Sequence, residues 1–258
     1  MHILVRQVPP GGREEDMARV SVVFPAYNEE AHVAEAVEAA LKVGVGHVIC
    51  VNDCSADATG EVVDRLVADS RVEAVHHEVN QGKQAAVKHG LQAVLRHADA
   101  EAIAVLDADM QDDPALLPGL CHLVGRYDVV IGYRARGDMP GIRRLANSLA
   151  NVPYRFVAGI DIHDIQSGYR VYTREVAEFL ADRLAVTGRY TLEHTSMLLF
   201  GRLGAERRRD FRIAEIAVPY TYEGAKSSIR LRDNLQLTWA SIYHAVVLAR
   251  LQRSEKPR

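Results

Sequence analysis

The chain has 258 residues, 48% of them hydrophobic and 25% charged, which is ordinary for a soluble globular protein and enough for one large α/β domain or two small ones. Its formal net charge is -3, so no global positive field points to nucleic acid. Three cysteines, Cys50, Cys54 and Cys121, show no metal spacing, and an odd count fits a reducing cytosol better than a disulfide framework.

Residues 1–19 contain Pro9-Pro10-Gly11-Gly12 and Arg13-Glu14-Glu15-Asp16, lack a signal-peptide pattern, and read as a loose leader. From Arg19 to about Gly132 short apolar runs alternate with helical periods. The predicted strands are Val20–Phe24, His47–Val51, Arg71–His76, Ala102–Leu106 and Asp128–Ile131. The predicted helices are Glu29–Lys42, Ala56–Ala68, Lys83–His97 and Pro114–Gly125. This repeated βαβ series predicts an α/β fold with a mostly parallel sheet and helices on both faces. After an Arg-rich loop come a helix near Ile142–Ala158, a polar connection Asp161–Gly168, and helices near Arg174–Leu180 and Leu192–Leu203. A strand near Asp210–Val218 and a Gly/Lys/Ser loop precede a last helix, Ile229–Leu251. No run of eighteen apolar residues occurs, and Leu237–Leu251 is broken by His244 and Arg250, so it reads as amphipathic rather than spanning. The division expected is a leader at 1–19, one domain at 20–228 with a helical C-terminal elaboration, and an amphipathic helix and tail at 229–258.

The most informative stretch is Asp107-Ala108-Asp109-Met110-Gln111, directly after a strand-like apolar run. Open α/β sheets bind ligands at the carboxyl ends of their strands. Two carboxylates one residue apart repel unless a proton or cation lies between them, and a hard ion such as Mg²⁺ or Mn²⁺ accepts such oxygens while holding phosphate on its far side. A solvated acidic turn is the plainer reading of the same residues. Pro25 fixes the chain as it leaves the first strand, and Asn28 is a plausible cap for the helix at Glu29. Tyr27 and Glu29 are placed to meet a nucleoside. Asp53, ending the second strand, either accepts from a base or ribose or caps the next helix with Ser55. Asn80-Gln81-Gly82-Lys83 offers a tight turn and a cation, facing either pyrophosphate or solvent. Neither G-x-x-x-x-G-K-[ST] nor G-x-G-x-x-G follows the first strand, which removes the main support for P-loop and dinucleotide readings.

Taken in order, Phe24-Pro25-Ala26-Tyr27-Asn28-Glu29, Asn52-Asp53-Cys54-Ser55, Asn80-Gln81-Gly82-Lys83 and Asp107-Ala108-Asp109 resemble the motifs of GT-A fold, family 2 glycosyltransferases, from Val20 to about Gly224. The run Asp107–Pro114 is similar to that of the polyprenyl-phosphate (dolichol-phosphate) sugar synthases, with Asp112 where those carry His. The resemblance implies a Rossmann-like GT-A sheet and a metal set of Asp109 and Gln111 with Asp107, the last nearer the nucleotide. It also implies a nucleotide-sugar site at Pro25, Tyr27, Glu29, Asp53, Lys83, Asp107, Ala108 and Asp109. Ile131–Arg134 and Ile142–Ser148 resemble the synthases' acceptor segments, which implies that Arg134, Arg144 and Ser148 hold a phosphate. Guanidinium groups suit that task because they grip phosphate bidentately. A helix with solvated arginines is the competing reading. Asp164–Arg170 resembles a segment that shapes the acceptor side and contains Gln166 and Ser167. Tyr190–Glu193 resembles the stretch carrying an acidic residue near the acceptor, so Glu193 is either a general base toward a hydroxyl or an orienting group. Tyr222–Ser228 resembles a loop that closes over pyrophosphate, with Lys226 and its neighbouring Ser exchanged. Arg207-Arg208-Arg209 with Arg212 reads as a solvated face or a contact to anionic lipid headgroups.

The expectation is a cytoplasmic, metal-dependent inverting hexosyltransferase, peripheral at the inner face of the membrane. It takes a sugar from a GDP- or UDP-linked donor to a polyprenyl or dolichyl phosphate. The main alternative acceptor is a hydroxyl of a small molecule or glycan. Two other classes stay open: a nucleotidyltransferase, which releases pyrophosphate, and a non-catalytic nucleotide-sugar or headgroup binder.

Overall fold

The computed structural model describes residues 2–5, 14–134, 162–184, 192–207 and 211–219. In chain order the elements are β1 (His2–Val5), α1 (Glu14–Met17), β2 (Val20–Ala26), α2 (Val33–Lys42), β3 (His47–Asn52), α3 (Thr59–Leu66) and β4 (Val72–His76). They continue with α4 (Lys83–Val94), β5 (Ala102–Val105), a 3₁₀ turn at Pro114–Leu116, α5 (Leu117–Cys121), β6 (Val129–Arg134), β7 (Arg170–Thr173), α6 (Arg174–Arg183), α7 (Leu192–Arg207) and β8 (Ile213–Val218).

All eight strands form one sheet in the order β1-β8-β6-β7-β5-β2-β3-β4. Every pairing is parallel except those of β7, which runs against both β5 and β6. The sheet is apolar on both faces because helices cover both. Along β2, Val22 and Phe24 enter one core layer and Val23 the other, which is the two-residue period of a strand. Helices α2, α3 and α5 cover the Val22 face, while α4, α6 and α7 cover the Val23 face. Helix α4 lies closest: a Cβ on Gly90 would come within 2.3 Å of Val23 Cγ1 and 3.1 Å of Val51 Cγ2.

The chain runs outward from β2 through β3 to β4, then returns across α4 to place β5 on the other side of β2. That reversal is a topological switch point, and the crevice above the carboxyl ends of β2 and β5 is where such sheets take ligands. Among the described residues no helix is long and apolar enough to cross a membrane.

Three expectations are corrected. The leader is not loose where it is described: His2–Val5 pairs in parallel with Ile213–Ile216, and Met17 is buried in the core. The chain does not pass straight from the 161–168 connection to the helix near Arg174 but enters β7, a central strand, between them. Asn28 does not cap a helix at Glu29, since α2 begins at Val33 after a His32 that makes no side-chain cap. The helices expected at 142–158 and 229–251 lie outside the described residues.

Candidate active site

Three adjacent strands, β5, β2 and β3, each lead into a loop with a non-glycine residue in the left-handed region: Met110 (φ 62°), Asn28 (φ 57°) and Cys54 (φ 56°). These sharp reversals keep the loops at the strand ends instead of letting them run on. The loops after β2 and β3 are clasped together. The Asn28 N–H donates to Ser55 Oγ (3.0 Å) and the Ala56 N–H to Asn28 Oδ1 (2.8 Å). The Glu29 N–H donates to Thr59 Oγ1 (2.8 Å), and the Ala58 N–H to Glu30 Oε2 (2.8 Å). Pro25 pairs with Val51 within the sheet, and Tyr27 stands 47% exposed at the rim.

The acidic pair follows β5, with Ala108 buried between its members. Asp109 Oδ1 accepts from the Gln111 N–H (3.1 Å), and the Asp107 N–H donates to Asp112 Oδ2 (3.2 Å). Burial raises the Asp109 carboxyl above its ordinary value, and Asp107 adds to the effect. Burial also raises Glu29, followed by the charges of Asp109 and, less strongly, Asp107, which brings the β2 and β5 loops into one electrostatic unit. Asp112, buried beneath the pair, is pushed up to about 8, mainly by burial and then by Asp107.

One cation answers this crowd. Lys83 Nζ lies 2.6 Å from Asp107 Oδ1 and 3.4 Å from Glu193 Oε1. Burial opposes its charge, but the two carboxylates outweigh that and hold its pKa above the ordinary lysine value. The lysine thus joins the end of β5 to the first turn of α7. A Cβ on Gly168 would sit 3.0 Å from Asp107 Oδ2 and 3.1 Å from Lys83 Nζ, so the 162–168 turn covers the pair only because that position has no side chain.

This turn is pinned from two sides. Fully buried Glu215 on β8 accepts from the N–H groups of His163 (3.0 Å) and Asp164 (3.1 Å). Buried Arg170 donates from Nε to the Ser167 carbonyl (3.0 Å), from Nη2 to the Ile165 carbonyl (2.8 Å) and from Nη1 to Ser196 Oγ (2.6 Å). Ser196 in turn donates to the Glu193 carbonyl (2.9 Å), so one guanidinium couples the turn to the helix that carries Glu193.

The structure therefore brings together Glu29, Lys83, Asp107, Asp109 and Glu193, drawn from four separate stretches of sequence. Asp53 stands apart: it is buried, and its carboxylate accepts from the chain's own Gln81 N–H (2.8 Å), Gly82 N–H (2.7 Å) and His77 Nδ1 (2.7 Å). Ser167 is buried and donates to the Gly132 carbonyl, while Gln166 beside it is half-buried. Arg134 ends β6; Arg144, Ser148 and Lys226 lie outside the described residues. Of the basic cluster, Arg207 pairs with Glu175 (2.9 Å) and Arg212 with Asp128 (3.7 Å), so those two are neutralised within the chain. Sequence reasoning missed Glu215 and His77, whose partners are set by folding, and read Arg170 only as the end of the 164–170 segment, without its bracing role.

Asp109 and Glu29, each raised by burial and by a neighbouring carboxylate, fit a hard divalent cation, which would lower them again. Among the described residues no three His, Cys, Asp or Glu side chains form a closed metal cluster, so an ion there would need oxygens beyond those of the acidic pair.

A switch-point crevice with an acidic pair, a facing lysine and an acidic helix start defines a GT-A type glycosyltransferase domain. The sequence profile of glycosyl transferase family 2 matches residues 21–180, and the chain belongs to that family. It is 35% identical over 191 residues to the polyprenol monophosphomannose synthase of Mycolicibacterium smegmatis, covering 66% of this chain and 71% of that one. It is 30% identical over 230 residues to glycosyltransferase AglD of Haloferax volcanii, covering 84% of this chain but only 35% of that protein. Against undecaprenyl-phosphate 4-deoxy-4-formamido-L-arabinose transferase of Pseudomonas aeruginosa the identity is 32%, and the match spans 48% of the relative. The fold matches glucosyl-3-phosphoglycerate synthase from Mycobacterium tuberculosis, solved with Mn²⁺, UDP-glucose and phosphoglyceric acid, at a TM-score of 0.69 and 20% identity, over 96% of this chain and 87% of that one.

Proposed function

We propose that the chain transfers a sugar, with inversion, from a GDP- or UDP-linked donor to a polyprenyl or dolichyl phosphate, and that it requires Mg²⁺ or Mn²⁺. The observation that carries this reading is the convergence of Glu29, Asp109, Asp107 and Lys83 at the switch point (Lys83–Asp107 2.6 Å), in a family whose relatives include named polyprenyl-phosphate sugar transferases.

Tyr27 and Glu29, on the clasped loop above Pro25, meet the nucleoside. Asp107, Asp109 and Gln111 would hold the metal, which when bound neutralises charge growing on the leaving diphosphate. Buried Ala108 keeps the two carboxylates on one short turn, and Lys83 adds a tethered positive charge beside them. Lys226 closes from the C-terminal side. The acceptor phosphate is held by Arg134, Arg144 and Ser148, with Gln166 and the turn braced by Ser167 shaping its pocket. A phosphate monoester is ionised near neutral pH and needs no base, so positioning and charge neutralisation supply most of the rate.

The test is to incubate the protein with Mn²⁺, a panel of GDP- and UDP-sugars and a short-chain polyprenyl phosphate, and to measure released nucleoside diphosphate. Transfer is expected with one donor class, and Asp109→Ala is expected to abolish it. Near-normal turnover of that variant at saturating Mn²⁺ would refute the scheme.

A second reading, a hydroxyl acceptor, is favoured by the position of Glu193, whose carboxylate is largely buried beside Lys83 (3.4 Å) in the same crevice. It needs a base, so Glu193→Gln should then lower kcat by roughly 10²–10⁴. With a phosphate acceptor the loss should stay within about tenfold, as expected for one lost orienting contact.

A further inference from the structure

His77 and His89 have no part in the scheme above, yet they are wired to it. The His77 N–H donates to the Asn52 carbonyl (3.0 Å), extending the β3–β4 pairing one residue past β4. The imidazole is buried, with Nδ1 2.7 Å from Asp53 Oδ1 and Nε2 2.8 Å from His89 Nδ1 on α4. A carboxylate only accepts, so Nδ1 of His77 carries the hydrogen whatever the state of Nε2. Burial, then the neighbouring His77 and Lys88, lowers the pKa of His89, which favours its neutral ring.

Asp53 is the hub of this wiring. Besides His77 it accepts from the Gln81 and Gly82 N–H groups, and its own carbonyl accepts from Asn80 Nδ2 (3.1 Å). These bonds fix all three residues that precede Lys83, including Gly82 in the left-handed region (φ 87°). Helix α4 starts from that turn, with Gly82 as its cap and Lys83 as its first residue. The lysine's reach to Asp107 and Glu193 is therefore set by a buried carboxylate, whose orientation is set by an imidazole.

We infer that His77 is a positioning residue for Lys83, acting through Asp53 and the Asn80–Lys83 turn and backed by His89, and that it governs how firmly the lysine meets a nucleoside diphosphate. The inference rests on the proposed donor site only for that last consequence. Removing the imidazole takes away one of the two donors to Asp53 Oδ1, so the buried carboxylate is anchored only by the Gln81 and Gly82 amides it is meant to fix. A lost hydrogen bond to a charged group is worth about tenfold or more in an equilibrium.

The full-length chain tests this in two ways. In ¹⁵N-labelled wild-type protein, long-range ¹H–¹⁵N imidazole spectra should show His77 with Nδ1 protonated; a bare Nδ1 would overturn the proposal without any variant. Next, His77→Phe and His77→Asn are compared, because an Asn amide donates from nearly the same place as Nδ1. The Phe variant should bind GDP or UDP in the presence of Mn²⁺ about tenfold more weakly by calorimetry. Its Gln81 and Gly82 amides should exchange faster by a similar factor, and Asn should restore both. A Phe variant that melts earlier but keeps wild-type affinity and amide protection would reduce His77 to a core residue and refute the inference. If Phe does not fold, His89→Phe, which leaves His77 and Asp53 in place, should show the same two changes in weaker form, and no change in either refutes it. If neither nucleotide binds wild-type protein, the donor reading fails, while the ring spectrum and amide exchange still decide whether His77 holds the turn.

Discussion

Asp112 shows how burial changes what one carboxyl does to the fold. It is buried under Asp107 and accepts its N–H. Its carboxyl is pushed from 3.8 up to about 8, by burial first and the Asp107 charge second. Between those values the unfolded chain has released a proton that the folded chain keeps, so folding stability falls as pH rises from about 4 toward 8. Asn at this position still accepts from the Asp107 N–H and has no proton to lose. Thermal unfolding of Asp112→Asn and wild type in EDTA should therefore diverge in the variant's favour across that window. A constant difference between the two curves would show that Asp112 is ionised in the fold. The acidic pair itself was legible because two carboxylates after an apolar strand are a local pattern. The relay from Arg170 through Ser196 to Glu193 was not, because Arg170 and Ser196 lie 26 residues apart and meet only when α7 packs on the 162–168 turn.

At the scale of elements, α4 carries the most consequence. Its N-terminus delivers Lys83 and its middle touches β2 and β3 at Gly90, where a Cβ would overlap Val23 Cγ1 at 2.3 Å. Gly90→Ala gains helix propensity but must push the helix off the sheet. Overpacking of this kind costs about 1–3 kcal/mol, more than the roughly 1 kcal/mol that Ala gains over Gly in a helix. Denaturant unfolding should show net destabilisation, and an unchanged or raised midpoint would mean α4 rides higher than described. The helical and strand periods of β2 through β5 were readable because each element buries a face of its own. The two strands not anticipated, β1 and β7, are four residues each, too short for a period to register. Their pairing partners lie far away: β1 with β8 at residues 213–216, and β7 with β5 at residues 102–105. The clasp between the β2 and β3 loops was hidden for a related reason, since Asn28 looks like a helix cap until its neighbour across the crevice is known.

At the scale of the whole molecule, the sheet divides into two unequal histories. Strands β2, β3, β4 and β5 are consecutive in sequence and form one flank; β6, β7, β8 and β1 form the other. The only seam between them is β7 against β5, from Ala102↔Thr173 to Val105↔Arg170. Amides 102 and 106 donate toward β2, to Arg19 and Val23, so by alternation amide 104 does the same while 103 and 105 face β7. Contacts between neighbours in sequence close sooner than those across long loops. In refolding followed by pulsed hydrogen exchange, Ala104 should gain protection before Ile103 and Val105. Simultaneous protection of all three would mean that the two flanks form together.

The reversed strand has a further meaning during synthesis. As the chain leaves the ribosome, the β2–β5 flank is complete once Val105 has emerged, but its inner border stays bare until Arg170 arrives. For that interval a growing polypeptide carries an open, apolar margin able to recruit any passing extended segment. The reversed strand is thus also the plug of that margin, and a newborn copy is safest only after that plug has been threaded home.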